Sequence, residues 1–267
     1  MRRFLSLSGF STGKINDMLI RAGPLRYRPV FVFCTEHVPD GAVPVSGVIT
    51  EGHRCLGKAL LKIAMSPEVP PVYLGRDVMK ECCFGASAWL GFMKMPPMMK
   101  NLYASESKGD GNHDAHYLKD TPATCQANLD RLGRITPPGR YLVMGPCPDA
   151  GDSISALSVL CFGEAEPIRN LCGLAHFGRQ DPFSPVIAAW GAHCATFVTY
   201  PASLAEGAPK NTAFISPMAS YGNDWFPHDL MALGIPIDMA EKMCKDYGDS
   251  FMVKRPEKTY PEKRESL

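Results

Sequence analysis

The apolar positions of this chain fall into short blocks that alternate between a helical period and unbroken β-prone runs. Residues 11 to 22 place Ile15, Met18 and Leu19 on one face of an amphipathic helix, which Gly23-Pro24 ends. Pro29-Val30-Phe31-Val32-Phe33 is continuously apolar, the mark of a strand covered on both faces. After a turn at Pro39-Asp40-Gly41, Thr50 is the expected N-cap of a helix over 51 to 65 that turns Leu56, Leu60, Leu61 and Ala64 inward. Val72-Tyr73-Leu74 reads as a short strand. Gly85 to Gly91 reads as a helix of small residues with Cys83 at its start.

From Met93 to about Asp120 the composition shifts to Met, Lys, Gly, Asp and His, as in a long functional loop. Thr121-Pro122 opens a helix that Gly133 stops. Tyr141 to Met144 and Leu157 to Phe162 are two further strands, and Pro167 opens a helix through Ile168, Leu171, Leu174 and Ala175. Ser184-Pro185 is expected to open another, holding Val186, Ile187, Trp190, His193 and Cys194. Ala213-Phe214-Ile215 is the last expected strand, with helices near 227 to 233 and 238 to 247 and a solvated tail over 254 to 267. The fold class is therefore α/β in the mixed α+β sense, a mixed sheet covered by helices in a single domain over 1 to 267. A shared rhythm of strand, helix and cysteine-bearing small-residue helix suggests two similar halves, 24 to 135 and 139 to 250, with Cys83 and Cys194 as equivalents.

Lys+Arg 28 against Asp+Glu 27 leaves a formal charge of +1, so no global field draws this protein to nucleic acid or an anionic membrane. No stretch approaches the roughly 20 uninterrupted apolar residues of a spanning helix. Ser8, Gly9, Ser11 and Thr12 interrupt the apolar run after Met1-Arg2-Arg3, so the N-terminus reads as mature protein and the location as cytoplasmic.

Ten cysteines are many for a chain of 267 residues, yet no two are spaced Cys-x-x-Cys, which removes local zinc-finger, ferredoxin and thioredoxin patterns. Three of them, Cys55, Cys83 and Cys194, fall in the first turns of expected helices, where the helix dipole favours a thiolate. Gathered by the fold, three thiolates would select zinc or an iron–sulfur cluster, with His53 or His193 as a further ligand or the fourth position open. Cys82 replaces Cys83 if the register slips by one. The plain alternative is that these are buried cysteines packing as small apolar groups. Cys83 or Cys194 as a nucleophile served by His193 is a separate reading; adjacent side chains on a helix diverge by about 100°, so His193 would serve Cys83. Asp110, His113, Asp114 and His116, the methionines Met93, Met95, Met98 and Met99, the turn from Gly145 to Asp152, and Asp224, Trp225 and His228 are weaker ligand sets that loop polarity, core packing and capping explain as well.

The order of several short marks resembles the prokaryotic ArCR family, a domain of unknown function, over nearly the whole chain. The marks are Pro29-Val30-Phe31-Val32, Arg54-Cys55, Glu81-Cys82-Cys83-Phe84-Gly85-Ala86 leading to Leu90-Gly91, and Met95-Pro96. They continue with Leu157 to Gly163, Ala192-His193-Cys194-Ala195 and Gly234-Ile235-Pro236. The family spacing makes Cys83 the matching thiol. It also implies a fourth cysteine before the Gly-Ile-Pro turn, where this chain has Ser216-Pro217, and an arginine where it has Tyr221. The resemblance carries no settled activity.

The expected function is a cytoplasmic thiolate-site protein of anaerobic redox metabolism that binds an iron–sulfur cluster or zinc through Cys55, Cys83, Cys194 and His193. One alternative is a metal-free small-molecule-binding protein or thiol-dependent enzyme with a pocket between the two halves. Another is a structural subunit without chemistry. A small-molecule ligand or a redox partner is the partner class these readings imply, and a homo-oligomer is compatible with each.

Overall fold

The computed structural model describes residues 11–104, 118–147, 156–216 and 225–258. Their elements, in chain order, are α1 (Thr12–Ala22), β1 (Val30–Thr35), β2 (Val43–Pro44), α2 (Val45–Val48), α3 (Leu56–Met65), β3 (Val72–Gly75), α4 (Phe84–Trp89), α5 (Met99–Tyr103) and α6 (Pro122–Arg131). Then follow β4 (Tyr141–Gly145), β5 (Ala156–Gly163), α7 (Ala165–His176), β6 (Val186–Ala188), β7 (Ala213–Ile215), β8 (Met231–Pro236), α8 (Ile237–Asp246) and α9 (Phe251–Lys254). Short 3₁₀ turns, one of them over Arg76–Glu81, and a π-helical turn at Ala195–Thr199 complete the list.

One mixed eight-stranded sheet organises everything, in the order β2-β3-β4-β1-β5-β8-β7-β6. The chain is therefore a mixed α/β protein, as the pattern of runs implies. β1 lies near the centre, antiparallel to both β4 and β5, and its unbroken apolar run is explained by cover on both faces. Val30 and Val32 join a core with Leu142, Met144, Leu160 and Phe162 beneath α3 and α4. Phe31 and Phe33 join the opposite core with Val159 and Cys161 beneath α1, α7 and α8.

The strand order reads alike from either edge. β2-β3-β4-β1 and β6-β7-β8-β5 each open with a parallel step and continue with two antiparallel ones, and β1 meets β5 antiparallel in the middle. In this frame Cys55 lies between the second and third strands of one set and Cys194 between the second and third of the other. Cys83 follows the third strand, so Cys194 takes the topological place of Cys55 rather than that of Cys83.

Three expected elements differ. The helix expected from Glu51 starts only at Leu56, with Cys55 rather than Thr50 as N-cap, because Gly52 takes φ +68, a left-handed turn no right-handed helix contains. Ser184-Pro185 opens no helix: Val186–Ala188 is an edge strand parallel to β7, β-branched residues finding a partner that outweighs any helical period. The helix expected near 227 to 233 gives way to β8, whose apolar run Met231–Pro236 is held between β5 and β7. The tail from 259 onward and residues 105–117 of the Met93–Asp120 loop lie outside the described residues, and the described part of that loop holds α5.

Gly234 in β8 lets the π-helical turn press onto the sheet. A Cβ there would stand 2.8 Å from the Thr196 carbonyl oxygen and 2.7 Å from Pro201 Cγ. Gly234→Ala is expected to cost about 1–3 kcal/mol through overpacking, measurable by urea denaturation.

Candidate functional site

Three backbone segments far apart in sequence converge above the β1 valines. The first is the start of α3, where Cys55 is the N-cap residue. The second is the extended pair Cys82 and Cys83, with Cys83 capping α4: its sulfur accepts from Ala86 N–H at 3.4 Å. A cysteine at that cap replaces the usual Ser or Asp, so the free N–H of a helix end faces a sulfur. The third is Cys194, immediately before the π-helical turn.

Specific contacts hold the segments together. Cys83 N–H donates to Arg54 O at 3.0 Å, and the Cys82 sulfur lies 3.5 Å from the same carbonyl oxygen, so the α4 cap is tied to the residue before Cys55. Gly57, in the first turn of α3, has no side chain because a Cβ would lie 3.2 Å from His193 Cβ and 3.0 Å from the Trp225 ring. That close approach seats α3 against the residue before Cys194. The buried Thr199 hydroxyl lies 2.6 Å from Trp89 O and 3.1 Å from Cys194 O, joining the end of α4 to the Cys194 turn.

The thiols respond to one another. Cys83 is held well below the ordinary thiol value, first by a hydrogen bond from the Cys82 thiol, against burial, then by a hydrogen bond from His53 and by Ala86 N–H. The proton kept on Cys82 pays the other side: its hydrogen bond to Cys83, then burial, then the Cys83, Cys194 and Cys55 charges push it far up. Burial raises Cys194, with the Cys83 and Cys55 charges adding to it. Burial likewise raises Cys55, which the N–H groups of Lys58 and Gly57 pull partly back and the Cys83 charge raises again. His53 is raised, chiefly by its hydrogen bond to Cys83. The arrangement is one favoured thiolate that accepts from an imidazole of raised pKa, bordered by three thiols whose pKa values are raised.

The structure thus brings Cys55, Cys83 and Cys194 into one electrostatic neighbourhood, together with Cys82. His193 is adjacent but set differently. Its ring packs within 5.1 to 5.6 Å of Phe197, Trp225 and Phe226, while the imidazole acting on Cys83 is His53. His53 stands two residues before Cys55, and that spacing was the available signal. Ser216 is buried one strand away and accepts from Thr196 Oγ1 at 2.9 Å. Among the described residues no three His, Cys, Asp or Glu side chains are grouped so as to hold a metal ion. Asp110, His113, Asp114, His116, Pro217, Tyr221 and Asp224 lie outside the described residues, as do Pro148 to Asp152 of the turn that starts at Gly145. No described helix is long and apolar enough to cross a membrane.

The pattern of the uncharacterised ArCR family, a domain of unknown function, matches residues 19–246. The chain belongs to this family. No curated protein and no solved structure matches it significantly. Within this ArCR chain the matched span includes all four site cysteines and His53, so the site lies inside the family domain.

The Cys83 thiolate is present above its lowered pKa and is lost only as pH falls through that value. Iodoacetamide at pH 6 is therefore expected to alkylate Cys83 nearly as fast as at neutral pH, with the other nine cysteines far slower, by peptide mass mapping. His53→Gln removes the imidazole that donates to Cys83 and should move the inflection of that profile upward by about 1 unit.

Proposed function

We propose that this protein acts on a small electrophilic molecule through the Cys83 thiolate, with His53 as its partner acid. The observation that carries this reading is the convergence on one half-buried sulfur of three hydrogen-bond donors, Ala86 N–H, the Cys82 thiol and the His53 imidazole. Such an arrangement activates a nucleophile without a base having to remove its proton at the moment of attack. In the step it implies, the Cys83 sulfur forms a bond to the electrophilic carbon. The electron pair of the broken bond leaves with the departing group, which takes its proton from His53.

A chromogenic ester tests this directly. With p-nitrophenyl acetate at pH 6, the folded protein should release about one equivalent of p-nitrophenol in a burst and carry the acetyl group on Cys83. Cys83→Ser should abolish the burst and His53→Gln should slow it. An acetyl group found on another cysteine, or a burst unchanged in Cys83→Ser, ends the reading.

A second reading is favoured by the mutual electrostatic influence of Cys55, Cys83 and Cys194. A thiophilic cation, zinc or the iron of a cluster, would offset the mutual repulsion that otherwise keeps Cys55 and Cys194 protonated beside Cys83, and soft sulfur donors select such metals. The sulfurs would have to close in on it, since no ready three-ligand group exists among the described residues. This reading keeps the protein in anaerobic-type redox metabolism and the cytoplasm. Oxygen-free purification followed by metal analysis and visible absorbance decides it. Bound metal should fall in Cys55→Ser, Cys83→Ser and Cys194→Ser, and equal metal content in all three and the parent sinks it.

A further inference from the structure

A concavity lies apart from the thiolate site, between α6 and the segment from Ala189 to Phe214. Its volume is about 230 Å³. The rings of Trp190, Tyr200 and Phe214 line it, together with Ala189, and Asn128 and Arg131 of α6 complete the wall. Drug-sized sites run roughly 300–1,000 Å³, so this space suits one ring and a headgroup rather than a larger molecule.

The charges beside these rings are positive. Arg131 forms no ion pair among the described residues, and Lys119 Nζ stands 4.8 Å above the Trp190 ring. Glu206, near the same edge, accepts from Arg134 N–H at 3.4 Å. The Tyr200 hydroxyl is already spent on Trp190 O at 2.9 Å. Trp190, by contrast, keeps its indole N–H buried with no hydrogen-bond partner among the described residues. That N–H has no accessible surface, so the polar recognition offered by the cleft comes from Arg131 rather than from the indole.

We propose that this cleft binds a small planar carboxylate, a single aromatic ring bearing one anionic group. The ring stacks among Trp190, Tyr200 and Phe214, and the carboxylate faces Arg131. A neutral ring would fill the space and leave the guanidinium unanswered. An aliphatic acid would answer the charge and leave the aromatic floor poorly covered. The inference goes beyond the thiolate reading and stands without it, because no lining residue supplies a sulfur or an imidazole of the Cys83 site, Trp190 alone also packing on Trp89 at the end of α4.

Benzoate and its neutral counterpart benzamide are the probes, titrated into the full chain at millimolar concentration and followed by tryptophan emission and saturation-transfer NMR. Benzoate is expected to saturate, with benzamide at least about tenfold weaker, the ratio that one charge-assisted hydrogen bond supplies. Arg131→Gln, an exposed substitution on α6, should weaken benzoate about tenfold and leave benzamide unchanged. Ala189→Phe, which fills the cleft, should remove both. Cys83→Ser should bind benzoate as the parent does, so failure of the thiolate reading and failure of this one are told apart. Absence of saturable benzoate binding, equal affinity for benzamide, or a benzoate affinity unmoved by Arg131→Gln overturns the proposal.

Discussion

Everything at the candidate site depends on three chain segments approaching at backbone distance: the start of α3, the cap of α4 and the π-helical turn after Cys194. Cys83 N–H on Arg54 O fixes the first pair, and the Thr199 hydroxyl between Trp89 O and Cys194 O fixes the second. Gly57 and Gly234 permit the approach by leaving out side chains that would strike His193, Trp225 and the Thr196 carbonyl. Lengthening any of these contacts by the width of a methyl group would separate the sulfurs more than it would disturb the sheet, whose ladders lie one layer below. The site is therefore a product of helix and turn placement, and the sheet serves as its flat base.

Four thiols this close cannot all ionise. The first negative charge to form raises the cost of the next, and burial adds to that cost at each sulfur. The charge settles on Cys83 because it alone has a helix N–H, a neighbouring thiol and an imidazole all donating to it. Cys82, Cys55 and Cys194 then stay protonated for reasons that include the presence of that thiolate. Such groups titrate as a set, so a change at one sulfur is felt at the others. In the absence of a bound cation this favours a single reactive sulfur. A cation would reverse the balance, since its charge would favour ionisation at every sulfur it touched.

Much of this architecture is legible in the chain itself. β1 could be read because an unbroken Val-Phe-Val-Phe run has no other stable home, and α6 because Thr121-Pro122 supplies both a cap and a first-turn proline; the Thr121 hydroxyl indeed accepts from Thr124 N–H at 3.1 Å. β6 and β8 could not, because their residues satisfy a helical period as well as a strand, and only the neighbouring strands decide between them. Cys55 and Cys83 stood out by their places at helix starts, which are local. That they meet Cys194 depends on crossings of α3 and the π-helical turn, which are not. The partnership of His53 with Cys83 spans thirty residues of chain and rests on the contacts of Arg54 with Glu81, Cys82 and Cys83, which no periodicity encodes.

Trp190 is the point at which the thiolate site and the aromatic cleft share a wall. Its ring lies 6.4 Å from Trp89, the last residue of the helix that Cys83 caps, and 5.7 Å from Tyr103. It also stands four residues before Cys194, on the same stretch of backbone. A molecule seated in the cleft thus presses on a ring whose opposite neighbours hold the end of α4. Occupancy can shift the thiolate only if the cleft binds one arrangement of that wall better than another, since a ligand indifferent to the two arrangements moves neither. The edge-to-face packing of Trp89, Trp190 and Tyr103 is close-packed and discrete, so the wall has few alternative arrangements to offer. Rigid transmission of position, with α4 and its capping sulfur held in register against an occupied or empty cleft, is what this packing supplies.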